Sequence, residues 1–172
     1  MLNVPADNRI PLCKPSINKD DLKVVSDAIK SGWLAHGEHN YDFEDNFAHY
    51  IGVKHAITMN SCTSALEIAL KAHGIKGEVI IPSFTWVATA NAVVNAGAIP
   101  VFADVDYETR NLKAENIERL INTKTEAIIV VHFGGQICLM DDILELCEKH
   151  HLLLVEDSAE TIGAKFANRQ AG

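Results

Sequence analysis

From residue 55 onward, short apolar runs of strand length alternate with segments of helical periodicity, and this alternation constrains the fold more than any other feature. Residues 55–59, 78–81, 99–103, 126–131 and 152–155 are the strand candidates. Between them, the segment with Leu66, Ala69 and Leu70, then residues 87–95, 112–121 and 139–150, read as helices. In the last of these, Met140, Ile143, Leu144 and Cys147 fall at i, i+3, i+4 and i+7. Strands separated by helices cannot pair as hairpins, so the expected class is α/β: a mostly parallel sheet flanked by helices.

Upstream, residues 1–17 hold three prolines and no periodicity, and they read as an irregular N-terminal arm. Asn18 then looks like an N-cap for a helix over 19–30, with Leu22, Val25 and Ile29 on one face and Ser31-Gly32 as a stop. A Gly-bounded loop with Trp33 follows, and then a helix over 41–50 with Phe43 and Phe47 on one side, ended by Gly52.

At 172 residues and 48% hydrophobic content, the chain is long enough for one substantial core and about right for one domain, expected over residues 18–172. A formal net charge of −8, without basic runs, argues against nucleic acid or an anionic membrane as partner. Cys13, Cys62, Cys138 and Cys147 form no CxxC pair and read as reduced thiols. No apolar run reaches the roughly 20 residues of a bilayer span, and Pro5, Asp7 and Arg9 interrupt any signal-peptide core, so a cytoplasmic protein is expected. Of the eight histidines, His36 and His39 sit in a Gly-flanked loop and His150-His151 close a helix where a cation suits the dipole; no metal site is expected from them.

The chemistry concentrates where the run at 152–155 meets Glu156 and Asp157. Four apolar residues read as a strand buried on both faces, delivering two acids to the sheet edge where open α/β folds bind ligands. A buried carboxylate needs a cation: a metal, an Arg or Lys, or a protonated heterocycle such as the pyridinium of pyridoxal 5'-phosphate (PLP). A parallel sheet directs Ser61–Ser64, Ser83–Trp86, Asp104–Asp106, His132–Gln136 and Asp157–Glu160 to the same edge. Asn60-Ser61-Cys62-Thr63-Ser64 opens a helix, where free N–H groups suit a phosphate or are simply capped. Trp86 opens the next helix, as a plate for a flat ligand or as a core aromatic. Phosphate seat, aromatic plate and Asp together match PLP. GxGxxG and GxxxxGK[ST] are both lacking. Magnesium held by Asp104, Asp106 and Asp157 is the alternative, and it needs no stacking platform.

Taken together, Ser31-Gly32-Trp33-Leu34, the run from Tyr50 to Ala56, Asn60-Ser61-Cys62-Thr63-Ser64-Ala65-Leu66, the run from Pro82 to Ala92, His132-Phe133-Gly134-Gly135-Gln136 and Glu156-Asp157-Ser158-Ala159-Glu160 resemble the N-terminal half of the DegT/DnrJ/EryC1/StrS nucleotide-sugar aminotransferases. The resemblance implies the large domain of PLP-transferase fold type I, incomplete here, with residues 18–172 stopping before the Schiff-base lysine. It implies that Asp157 pairs with the pyridinium nitrogen, Trp86 stacks on the ring, the Cys62-Thr63 turn holds the phosphate, and Glu160 lies near the ring oxygen or the substrate amine. Asp157 and Glu160 are thus the candidate catalytic residues.

It further implies a homodimer acting on a nucleotide-linked keto sugar with glutamate as amino donor, for cell-surface polysaccharide or antibiotic sugar biosynthesis. The family usually has Gly at the position of Cys62 and Gln at that of Glu160. Glu there resembles the perosamine synthases and points to a 4-keto-6-deoxy sugar. Without the lysine, the 172-residue chain by itself is expected to be inactive. The competing readings are a pyridoxamine-phosphate-dependent sugar dehydratase, which shares this half, and a non-catalytic fragment or regulator of the same fold.

Overall fold

The structure is a computed structural model that describes residues 14–172. Most of the expected N-terminal arm, with Cys13, lies outside the described residues. The chain divides into two compact units, Met1–Phe43 and Glu44–Gly172.

In the first unit, α1 (Lys19–Ser31) starts on the expected Asn18 cap. The Asn18 side chain accepts from the N–H groups of Asp20 and Asp21, while the Asp21 carboxylate accepts from Asn18 N at 2.8 Å, a reciprocal capping box. Gly32 ends the helix at φ 73°, a left-handed conformation that glycine adopts without a Cβ penalty. Beyond it, Trp33 Nε1 donates to the His36 carbonyl at 3.1 Å. The next helix, α2 (Glu38–Ile51), begins three residues earlier than its periodicity suggests and runs into the second unit.

The second unit is built on four strands, β1 (Glu78–Pro82), β2 (Ile99–Ala103), β3 (Thr125–Val131) and β4 (Leu153–Asp157), all parallel in the order β2-β1-β3-β4. Side chains alternate across a strand, and the two faces carry separate cores. Val79, Ile81, Ala127 and Ile129 pack with α3 (Cys62–Ala72) and α4 (Val87–Ala96). Ile80, Ile128 and Val130 pack with α5 (Ala114–Glu118) and α6 (Met140–His150). Central β1 and β3 therefore read as continuous apolar runs because both faces are covered.

Three expectations are corrected. Residues 55–59 are not a strand: the described sheet ends at β2 and β4, and the Thr58 N–H and hydroxyl both donate to Glu44 Oε1, at 2.7 and 2.6 Å. Residues 152–155 are only half buried, because β4 is an edge strand with no neighbour on one side among the described residues. The helix expected over 112–121 shrinks to Ala114–Glu118, since Lys113 is extended and the chain leaves the helix at Arg119 in tighter i to i−3 turns. Two short strands, β5 (Lys165–Phe166) and β6 (Arg169–Gln170), close the chain as an antiparallel pair. Lys165 at its start is exposed.

Candidate functional site

Strand order reverses at β1: the chain moves from β1 to β2 on one side and then to β3 on the other. Such a switch point opens a crevice at the carboxyl ends of the strands. A cavity of about 450 Å³ lies there, and its lining includes Cys62, Thr63, Trp86, Phe133, Asp157 and Glu160. Four of the five expected turns thus converge. The fifth does not, because Asp106 is turned into its own loop, where its carboxylate takes Lys113 Nζ at 2.5 Å and the Thr109 N–H at 2.9 Å. Among the described residues no three metal-ligating side chains come together, so Asp104, Asp106 and Asp157 do not form the magnesium alternative.

The two consecutive acids of β4 face opposite layers. Leu153 and Val155 join the α3/α4 core, and Asp157, two residues on, continues that face; Leu154 and then Glu156 continue the other. Asp157, only 8% exposed, receives Cys62 Sγ on Oδ1 at 3.5 Å and the Ala159 N–H on the same oxygen at 3.3 Å. Its Oδ2 receives the hydroxyl of Thr89 at 3.4 Å. All three are neutral donors. Among the described residues no Lys, Arg or His forms an ion pair with this carboxylate.

Glu156 has a different partner. His132, fully buried at the end of β3, accepts the Cys138 N–H on Nδ1 at 3.3 Å, so Nε2 carries the ring proton and donates to Glu156 Oε2 at 2.9 Å. The His132 bond, with help from the Gly172 N–H, holds the Glu156 carboxyl below its ordinary range against the opposing effect of burial. A lowered carboxylate contributes stability that is present at neutral pH and lost as the pH falls through its value in the folded protein. Glu156→Gln is therefore expected to cost about 1–3 kcal/mol at pH 7, with the gap to the parent closing below the ordinary glutamate range. Urea unfolding at a series of pH values measures it, and a pH-independent gap would exclude the ionic contribution.

At the phosphate-seat candidate, Ser61 caps α3 by accepting the Ser64 N–H at 3.1 Å. The earlier N–H groups, on Cys62 and Thr63, have no intrahelical acceptor and point out of the helix end. The Cys62 thiol is pushed up to about 11, first by desolvation and then by the adjacent Asp157, so it is a neutral donor at physiological pH. Trp86 is the N-cap residue of α4 and 78% exposed, which excludes the core-aromatic reading. Phe84 and Phe133, which also line the cavity, meet edge to face with centroids 4.8 Å apart. Gly134 and Gly135 both take positive φ, 64° and 81°, making a turn tight enough for the Gly134 N–H to reach Glu160 Oε2 at 2.7 Å.

Sequence reasoning missed Thr89 and the His132–Glu156 pair. Thr89 is fully buried, and its hydroxyl lies 2.9 Å from that of Thr85 as well as within reach of Asp157. The available signal was a Thr-x-x-x-Thr spacing, Thr85 and Thr89, at the start of a helix otherwise rich in Ala and Val.

A parallel sheet between two helical layers, with its cavity at the carboxyl edge, is the large-domain fold of the type I PLP-dependent aminotransferases. The solved aminotransferase from Psychrobacter cryohalolentis superposes with a TM-score of 0.89 at 38% identity, over 92% of this chain and 41% of that one. The chain belongs to the DegT/DnrJ/EryC1/StrS aminotransferase family, whose model matches residues 15–172. Members of that family use PLP.

Among curated relatives, the GDP-perosamine synthase of Caulobacter vibrioides is 44% identical over 167 residues, covering 95% of this chain and 45% of that protein. The spore coat polysaccharide biosynthesis protein SpsC of Bacillus subtilis is 41% identical over 165 residues, covering 95% of this chain and 42% of that protein. The chain thus spans less than half the length of these relatives. Among the described residues, no helix is long and apolar enough to cross a membrane.

Proposed function

We propose that the whole protein is a PLP-dependent aminotransferase that aminates a nucleotide-linked keto sugar, with glutamate as the amino donor. The observation that carries this reading is Asp157: a buried carboxylate held only by neutral donors, on a cavity shared by an exposed Trp86 and the open N–H groups of α3. When bound, PLP supplies a protonated pyridine ring that withdraws electrons from the substrate carbon undergoing deprotonation.

The residues of this chain then have separate roles. Asp157 holds the proton at the ring nitrogen. Trp86 offers the face on which the ring lies. The N–H groups of Cys62 and Thr63 take the phosphate, assisted by the helix dipole. Glu160, tethered to Gly134, sits near the ring oxygen or the substrate amine. The 44% identity to a GDP-perosamine synthase supports a 4-keto-6-deoxy sugar, and the likeness to SpsC supports a product destined for a surface polysaccharide. We place the enzyme in the cytoplasm as a homodimer. Three unpaired thiols among the described residues accord with a reducing compartment, and the exposed Leu22, Val25 and Ile29 of α1 accord with a further interface.

Titrating the purified protein with PLP and following the absorbance of the bound cofactor tests the reading. Saturable uptake is expected, with binding weakened about tenfold by Trp86→Ala and the fold unchanged, because this side chain is exposed. Absence of uptake would overturn the proposal.

A further inference from the structure

Asp157 has one wall of donors that the proposed chemistry does not by itself require. We infer that Thr89, seconded by Cys62, is a positioning residue that fixes the Asp157 carboxylate for the cofactor's ring nitrogen. This rests on the PLP reading above and adds to it the group that sets the carboxylate's aim.

The direction of each bond follows from the donors and acceptors present. An ionised carboxylate only accepts, and a threonine hydroxyl has a single proton. The proton of Thr89 therefore goes to Asp157 Oδ2, and the 2.9 Å contact with Thr85 must be a donation from Thr85 to Thr89. The result is a one-way chain from Thr85, on the cavity wall, through buried Thr89 to Asp157. On the other oxygen, Cys62 Sγ–H and the Ala159 N–H complete a three-donor cradle.

The two helices covering this face of the sheet each contribute one side-chain donor, Cys62 from the first turn of α3 and Thr89 from the first turn of α4. The carboxylate is thereby clamped between them. At 3.4 Å the Thr89 bond is longer than an ordinary hydroxyl–carboxylate bond. Neutral donors are also well suited here, since they orient the carboxylate without supplying the positive charge that the pyridinium brings. A cysteine at position 62 extends to Asp157 a donor that glycine could not.

The test uses the full-length protein and three variants, Thr89→Val, Thr89→Ser and Cys62→Ala. PLP affinity is measured by absorbance titration, and ring protonation by the NMR shift of PLP labelled with 15N at the pyridine nitrogen, followed against pH. Thr89→Val, which keeps the shape and loses the hydroxyl, is expected to weaken PLP binding about tenfold and to lower the pH at which the ring nitrogen loses its proton. Thr89→Ser should restore both. Cys62→Ala should shift the ring titration in the same direction, and because its side chain lies at the open end of α3 it reports on the cradle even if Thr89→Val fails to fold. A ring titration unchanged in Thr89→Val, or unchanged in Cys62→Ala where Thr89→Val does not fold, would overturn the inference, as would a Thr89→Ser variant that behaves like the valine. If the unsubstituted protein takes up no PLP, the cofactor reading fails and this inference with it.

Discussion

Asp157→Asn in the full-length protein is expected to slow the proposed transfer of the amino group from glutamate by about a hundredfold or more, the scale on which one preorganised electrostatic contact at a reacting centre acts. The substitution is nearly isosteric. The amide oxygen still accepts from neutral donors such as the Ala159 N–H, so the local fold should survive. What disappears is the negative charge that balances a protonated ring. Single-turnover kinetics with glutamate, followed through cofactor absorbance, measure the effect, and the melting temperature shows whether the fold is intact. Parent-like kinetics would remove Asp157 from the role proposed for it. A matching Glu156→Gln variant separates the two adjacent acids: it should lose stability through its bond to His132 while retaining most of the chemical rate.

The largest effect on stability is expected in the centre of the sheet. Ile128 lies in the middle of β3, paired with Ile80 of β1 on one side and Leu154 of β4 on the other, and has no exposed surface. Ile128→Ala removes buried methyl groups where neighbours on both strands and on α6 limit collapse, and should cost about 2–5 kcal/mol. Ile99→Ala, on edge strand β2 with 57% of the residue exposed, should stay within about 0.5 kcal/mol. Equilibrium urea unfolding of both variants checks the contrast. Equal losses would mean that the sheet is not organised around β3.

Much of this architecture is written in local pattern. Apolar runs at 78–81, 99–103 and 126–131 became strands, and the helices expected over 87–95 and 139–150 were found within a residue, at Val87–Ala96 and Met140–His150. The pattern failed where its meaning depends on a neighbour. Residues 55–59 have a strand's composition, but a strand exists only if another backbone lies beside it, and here the Thr58 N–H turns to a side chain. Likewise, the apolar run at 152–155 carries no mark of being at an edge rather than in the middle of a sheet. At 112–121 the apolar spacing persists, yet Lys113 stays extended while its side chain pairs with Asp106, and only a short helix forms.

The candidate site divides in the same way. The motifs singled out Cys62, Thr63, Trp86, Asp157 and Glu160, and their order along strand-to-helix turns was enough to expect them at one sheet edge, because a parallel sheet sends every such turn the same way. The family resemblance picked Asp157 of the Glu156-Asp157 pair, and the cavity is lined by Asp157 and not by Glu156, but the apolar pattern of the strand alone does not tell the two acids apart. Pleating puts consecutive residues on opposite faces, and only the placement of α3 and α4 over one face and α6 over the other identifies the face with the cavity.

From the sequence alone come the class of fold, the edge at which ligands gather and the residue types that gather there, all properties of short-range periodicity and strand direction. The tertiary structure decided the partners: Asp157 meets Cys62 from 95 residues away and Thr89 from 68. Those meetings follow from strand order and from which helix covers which face, and free energies of packing over the whole unit set them rather than any neighbouring residue.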